Sequence, residues 1–494
     1  TVGSTGVLNV GTISVATGGN LTINSDGVVL QSSTAANTAV ATVKRNSTPL
    51  FRQDYTLWSS PVTGQNLRAF STQTLFNRFS SYNTATNAYT QEIVTVADMD
   101  AKTFTSAKGY LIRMPNDWVE LPSSNPAQPY SGSFTGTLNN GTITIPLLNE
   151  TVDPGTPRKL NLVGNPYPSP ISIAAFFAAN TNIDQTLYFL RKKGTANLAN
   201  TASSYAVLNG LGFTSADTDI NGVPPTNIQT GQGFLVVANA GTPGNPTTLT
   251  FNNTMRTNGT PTFYKGATET NELHRLWLNL SNNSSVIGQT LIGYATGATQ
   301  GVDSNFDALY FNDSDTALTS IINNSEYIIQ GRALPFLTSD IVPLGFKTST
   351  AGSYTITLSN FDGLFTGSQD VFLKDNSNNT VHNLKTAAYT FTSPVGVFNQ
   401  RFEVQYEGAL GTNNPSLTAN DILIGVKNQQ IKINAGTVTM KKVELIDISG
   451  RIIYTLEDVN ATTTTIENMV ISNQMLVVRI TTADNAVVNQ KIIF

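Results

Sequence analysis

His274 and His382 are the whole supply of imidazole in 494 residues, and the chain has no cysteine. Thiol catalysis and cysteine-bound metals are therefore excluded, and a Ser-His-Asp triad would have to use one of these two histidines. No Gly-x-Ser-x-Gly elbow accompanies either. His274 stands beside Arg275 at the entry to a strand, and His382 follows the turn-like Asn378-Asn379; both read as strand-end residues rather than general bases. No phosphate-binding loop, dinucleotide fingerprint or histidine-rich zinc pattern occurs.

Two carboxylates would suffice for glycoside hydrolysis. Here the acidic residues gather in turns (Asp98/Asp100, Asp217/Asp219, Asp303/Asp307, Asp313/Asp315), where Asp caps its own backbone. The residues thus point to a protein that is not an enzyme and needs no cofactor. One acidic loop has a second reading. In Asp217-Thr218-Asp219-Ile220-Asn221-Gly222 the oxygen ligands at positions 1, 3 and 5, with Gly at 6, match the first half of a calcium loop. Position 12 is Ile228, so an EF-hand is excluded, and Asp217, Asp219 and Asn221 remain a candidate for a looser calcium site or a plain Asx-turn. Trp118, in Pro115-Asn116-Asp117-Trp118-Val119-Glu120, is a candidate for stacking on a sugar ring or for folding back over its own domain edge.

The elements that must position these residues are strands. Ile143, Ile145 and Leu147 alternate with Thr142 and Thr144, and Asn140-Gly141 predicts a hairpin back onto Phe134–Leu138. Tyr354–Leu358 and Leu476–Ile480 alternate in the same way, with Leu476, Val478 and Ile480 inward and Arg479 outward. One helix of about two turns is expected, with Ser172 capping Ile173–Ala179 after the Pro-rich Pro166–Pro170. The fold class is all-β, with tandem β-sandwich domains. Residues 1–45 differ: short β-runs such as Val7–Val10 and Val28–Leu30 predict a β-solenoid-like N-terminal segment, with an ordinary meander as the alternative. A large unit follows over 46–262. In it Lys108-Gly109-Tyr110-Leu111-Ile112 is echoed by Gln232-Gly233-Phe234-Leu235-Val236, which suggests two related sheets. A sandwich over 263–408, a linker over 409–417 and an Ig-like sandwich over 418–494 complete the plan.

Charged residues are only 12% of the chain and the net charge is −4. That is about half the usual charged share, and it gives phosphate backbones little to bind, so nucleic acid is not an expected partner. No apolar run is long enough to span a membrane as a helix. No signal-peptide pattern opens the chain, so a secreted form would already have lost one.

The last domain resembles the type A C-terminal sorting domain of type IX secretion cargo. The resemblance rests on Val443-Glu444-Leu445-Ile446-Asp447-Ile448-Ser449-Gly450-Arg451-Ile452-Ile453, on Leu476–Ile480, and on Gln490-Lys491-Ile492-Ile493-Phe494. The family has Gly-x-Tyr before its penultimate strand, whereas Asn473-Gln474-Met475 stands here. Arg275–Leu280, Gly331–Phe336, Pro343-Leu344-Gly345 and Leu57–Val62 are also similar to pieces of such cargo. The resemblance implies export through the type IX machinery by way of residues 418–494, and a location outside the cell or on the surface of a Gram-negative bacterium. It also implies O-glycosylation at Asp-Ser/Thr-aliphatic sites, a pattern that Asp315-Thr316-Ala317 fits at Thr316.

The expected function is accordingly a non-enzymatic structural surface protein: an adhesin, surface-layer element or filament subunit. The alternative is a carbohydrate-binding surface module in which Trp118 and the Tyr82/Tyr89 hairpin line a groove. Self-association into a polymer is expected from the open end of the solenoid and the low charge.

Overall fold

The computed structural model describes the chain except for residues 16–18, 39, 121–124, 149–159, 191–204, 216–224, 240–246, 260–271, 283–284, 313, 409–421, 437, 470–473 and 484–486. It is all-β and divides into two compact units, Thr1–Glu407 and Gly408–Phe494. The step expected near 262 and the linker expected over 409–417 fall outside the described residues.

Unit one begins with stacked parallel strands. Val7–Val10 lies parallel to Val28–Gln31, with Val7 opposite Val28, 21 positions on. Leu21–Ile23 lies parallel to Ala41–Val43, 20 positions on, and Val2 bridges Ile23. Parallel stacking at a nearly constant spacing of 20 to 21 residues is the geometry of a β-solenoid, as the short β-runs predict. The turns repeat as well: Gly6 N donates to Gly3 O and Gly27 N to Asn24 O, each at 2.9 Å.

Val40–Leu50 then leaves the solenoid and pairs antiparallel with Gln128–Leu138. Between them lies a four-stranded sheet in the order Tyr55–Trp58, Tyr110–Arg113, Phe79–Asn83, Ala88–Gln91. The same plan recurs downstream. Ile143–Leu147 pairs antiparallel with Thr247–Phe251. Between those lies a sheet in the order Leu160–Gly164, Gly233–Val237, Leu187–Leu190, Tyr205–Leu208, Phe213–Thr214. In both sheets the first strand pairs with the last of the common set, which then pairs with the second. The five-residue echo therefore marks a duplication of a whole unit.

The two copies meet by reciprocal contacts. Trp58 bridges Gln232 while Val163 bridges Lys108. Ser59 N donates to Gly231 O, and Gly164 N to Ala107 O, both at 2.9 Å. Trp58 and Val163 pair with Tyr110 and Phe234 respectively, so each of these contacts has its counterpart under exchange of the copies. Side chains follow suit. Trp58, Tyr110 and Ile112 enter one core, Val163, Phe234 and Val236 the equivalent core of the second copy. Leu57, Leu111, Leu162 and Leu235 face a shared layer that also takes Trp277, Leu291 and Ile329. Both faces of these strands are covered, which is why Leu160–Gly164 and Gly233–Val237 are buried at every position.

The Asn140-Gly141 hairpin is corrected by this arrangement. Leu138 ends a strand paired with Val40–Leu50 and Val62–Thr63, whereas Ile143–Leu147 belongs to another sheet. Asn140-Gly141 instead carries the chain from one sheet to the next. Its Gly has φ +75°, and a Cβ there would stand 2.6 Å from Thr34 O. The expected helix is present over Ile173–Ala179, with Ser172 Oγ accepting from Ala175 N at 3.3 Å.

The rest of unit one is a single long sheet. It runs from Thr380–Asn383 through Phe372–Asp375, Gly396–Gln405, Ile341–Thr348, Ala317–Ile322, Ser325–Ala333, Ser285–Ala295, Leu273–Asn282 and Gly352–Phe361 to Tyr389–Ser393. It curls over one core, so that Phe391 on the last strand reaches Phe402 near the other edge, with ring centroids 4.7 Å apart. Unit two is an antiparallel sandwich. Leu423–Lys427, Gln430–Asn434 and Thr463–Ile466 form one sheet; Ile452–Leu456, Met440–Ile446, Met475–Thr482 and Val487–Ile493 form the other. Leu476, Val478 and Ile480 are fully buried between them, and Arg479 points out with 42% of its side chain exposed.

Candidate functional site

Both histidines and several of the turn aspartates bond backbone groups. His274 accepts from Leu364 N through Nδ1 at 3.1 Å, and its Nε2 lies 2.8 Å from Glu272 Oε1. His382 Nε2 lies 2.9 Å from the Ala387 carbonyl. Asp98 closes a capping box with Thr95. Asp303 accepts from Thr299 N, and Asp307 accepts from Asp303 N and Gly331 N. In unit two Asp447 accepts from the Ser449 hydroxyl, the Arg451 and Ser449 amides and the Arg451 guanidinium. Led by the Ser449 hydroxyl, these bonds hold its carboxyl down to about 2. They rigidify the turn around Ser449-Gly450, where Gly450 takes φ +85°.

The other candidates sit as follows. Trp118 folds back over a strand edge, donating from Nε1 to Leu50 O at 3.1 Å and Gln128 O at 3.3 Å, with its ring edge-on to Tyr130. Tyr82 and Tyr89 do not line a groove with it. They pack on each other and against Phe311 and Tyr205, beside the shared layer. Thr316 is 4% exposed, and its Oγ1 lies 3.1 Å from Thr348 Oγ1, so a glycan on the folded chain has no access to that hydroxyl. Asp217, Asp219 and Asn221 lie outside the described residues.

The structure brings together a set that the sequence reading passed over. An open cleft of about 1140 Å³ lies in the curled sheet of unit one, lined by Tyr389, Phe398, Asn378, Asn399, Gln400 and Arg401 among others. Its cause is an irregularity in Gly396–Gln405: Phe402 pairs with Leu344 but Phe398 with Phe346, so the strand bulges at 399–401. The bulge turns Arg401 inward. Its guanidinium lies over Phe391 and Phe402, 4.6 and 4.8 Å from their centroids. It also contacts Asp375, which is fully buried, Nη2 to Oδ2 at 3.0 Å. Burial alone would raise the Asp375 carboxyl, but the bonds from Arg401 and Ser377 outweigh it and hold the group below its ordinary value. The floor of the cleft is therefore charge-compensated. Its rim is amide, hydroxyl and aromatic, a lining suited to an uncharged polar chain. The Asn376–Asn379 run and Asn399-Gln400 were the available sequence signals.

Fold and site together define an all-β protein of two compact units, in which both histidines and several turn aspartates bond backbone groups. The chain belongs to the family described as "Domain of unknown function (DUF8693)", whose model matches residues 1–406. A second model, "Domain of unknown function (DUF8694)", matches residues 410–494. No curated protein matches the chain. Among solved structures, one titled "Biofilm associated protein - BSP domain" is 12% identical and is aligned over 93% of this chain and 96% of that one, with a TM-score of 0.12. No helix among the described residues is long and apolar enough to cross a membrane.

Proposed function

We propose that this chain is a non-enzymatic structural component of the outer surface of a Gram-negative bacterium, exported through the type IX machinery. The observation that carries the structural half is the use of His274, His382, Asp98, Asp303, Asp307 and Asp447 as fasteners of their own backbone. Each of these groups bonds a backbone amide or carbonyl of a turn or strand end, a structural use for side chains of types that elsewhere act as acids or bases. The export half rests on the Asp447–Arg451 turn between two strands of a compact sandwich at residues 408–494, the element on which the sorting-domain resemblance stands. The test is surface display in a type IX-competent host. The full chain should become accessible to external protease, and a chain ending at residue 407 should stay in the periplasm. Display of the truncated chain refutes the export half. Turnover of glycans, peptides or esters that one Asp or Glu substitution abolishes refutes the structural half.

A second reading is a glycan-binding surface module, and the cleft at Tyr389 and Phe398 favours it. Its half-buried rings and exposed Asn378, Asn399 and Gln400 surround an arginine whose charge is already compensated. Calorimetric titration with neutral and acidic oligosaccharides tests this. Binding of neutral chains that Asn399→Ala and Phe398→Ala both weaken supports it, and no binding, or binding unmoved by either change, rejects it.

A further inference from the structure

We propose that Arg52, Arg78 and Arg113, brought together at one end of the first copy's sheet, form a binding site for an oxyanion, a phosphate or sulfate group. The site shares no residue with the cleft at Tyr389 and stands whichever of the two readings above holds. The fold makes the cluster from positions far apart in sequence. Arg113 ends the strand Tyr110–Arg113 and pairs with Tyr55, just beyond Arg52. On the other side Ile112 pairs with Phe79, so Arg78, immediately before Phe79, comes up beside Arg113. Arg52 N donates to Val119 O at 2.7 Å, which ties its segment to the loop that follows Arg113.

The charges in this cluster do not balance. Arg113 is 5% exposed, yet no carboxylate among the described residues forms an ion pair with it. Its polar contacts are neutral: Nη2 donates to Asn116 Oδ1 at 3.1 Å and Nη1 to Gln53 Oε1 at 3.5 Å. A guanidinium offers about five N–H donors, and the buried Nε of Arg113 has no partner among the described residues. Arg52 pairs with Glu120 through Nη2, but its own buried Nε is likewise unpartnered. Arg78 is exposed. Asp54, buried on the Arg52 segment, accepts from Phe51 N at 2.7 Å. Other inward arginines are treated differently. Arg401 meets Asp375 and Arg332 meets Asp340. Arg256 has no carboxylate but donates from all three nitrogens, to Ser169, Asn140, Asn253 and the Val29 carbonyl.

Buried charges are ordinarily paired, because desolvation disfavours an unmatched ion, and like charges on neighbouring strands repel. Both effects bear on Arg113. Burial above all, with Arg78 and Arg52 adding to it against the pull of Tyr55 and Glu120, holds its guanidinium below its ordinary value. An oxyanion between Arg78 and Arg113 would relieve both effects and accept from the donors left open, since the guanidinium fork matches two oxygens of phosphate or sulfate. The chain has a net charge of −4, so the cluster is not a by-product of basic composition. Three cations, one of them already offset by Glu120, suit one anionic group rather than a phosphate backbone.

The experiment is calorimetric titration of the full chain with inorganic phosphate in chloride buffer of constant ionic strength. Saturable binding at one site is expected, with sulfate competing. Arg78→Gln and Arg113→Gln should each weaken it by about tenfold or more, the loss of one charge-assisted contact. Lys427→Gln, which removes the same charge from unit two, should leave it unchanged. Circular dichroism checks folding, and if Arg113→Gln does not fold, the exposed Arg78 alone decides. Glucose 6-phosphate distinguishes the sources: binding with the same dependence on Arg78 assigns an esterified phosphate, and binding of inorganic phosphate alone assigns the free ion. No saturable phosphate binding overturns the proposal, as does binding that Arg78→Gln leaves as strong as Lys427→Gln does.

Discussion

At the scale of single residues, charge is used sparingly and placed where it fastens something. Arg401 and Asp375 are a buried pair, with the guanidinium also lying over two phenyl rings. Removing one partner of such a pair costs more than the pair contributes, because the other charge is left buried and unmatched. Arg401→Met should therefore destabilise unit one by about 3–5 kcal/mol in urea unfolding, and the added Asp375→Asn should recover part of the loss. Asp447 makes a different prediction, in pH. Its carboxyl is held below the ordinary 3.8 to about 2. The sign follows from linkage: the ionised carboxylate stabilises the folded turn fully above pH 4, and that contribution is lost as pH falls toward 2. Carboxyl-carbon NMR titration should place Asp447 near the lower value, and Asp447→Asn should flatten the acid-side loss of stability of unit two. The capping role of turn aspartates was legible from residue type and position, since Asp bonds its own backbone locally. The burial of Thr316 was not, because its partner Thr348 is supplied by another strand of the sheet.

At the scale of elements, the duplicated unit decides which glycines are tied to the fold. Gly109 of one copy and Gly233 of the other are equivalent, and each lies against the equivalent leucine. A Cβ on Gly109 would stand 2.7 Å from Leu162 Cγ, and one on Gly233 would stand 2.9 Å from Leu57 Cβ. Gly109→Ala and Gly233→Ala should each destabilise unit one by about 1–3 kcal/mol through overpacking. Chemical denaturation measures both; a neutral effect in either would mean that the copies do not meet as described. The echo was readable because both strands need a glycine at the crossing and an aromatic residue behind it. The failed hairpin shows where local reading stops. Asn-Gly favours chain reversal, but which strands pair is decided by their competitors, and Ile143 finds its partner at Phe251. The solenoid was easier to see, since its partners lie only 20 or 21 positions away.

At the scale of the whole molecule, each unit has its own core. Among the described residues, the cluster of unit two draws on Ile422–Phe494, and the four clusters of unit one draw on residues up to Tyr406. The placement of tryptophan makes this separation measurable. All three tryptophans, Trp58, Trp118 and Trp277, belong to unit one, whereas both units contribute strand signal to circular dichroism. Ile480 is fully buried in unit two, and Ile480→Ala should remove about 2–5 kcal/mol through lost burial and a residual cavity. Tryptophan fluorescence should then keep its original melting transition while part of the circular dichroism signal melts earlier. Leu162→Ala, in the layer shared by the two copies and the curled sheet, should do the reverse and move the fluorescence transition. If both probes shift together for Ile480→Ala, the two units unfold as one cooperative body, and a chain ending at residue 407 would no longer separate export from folding.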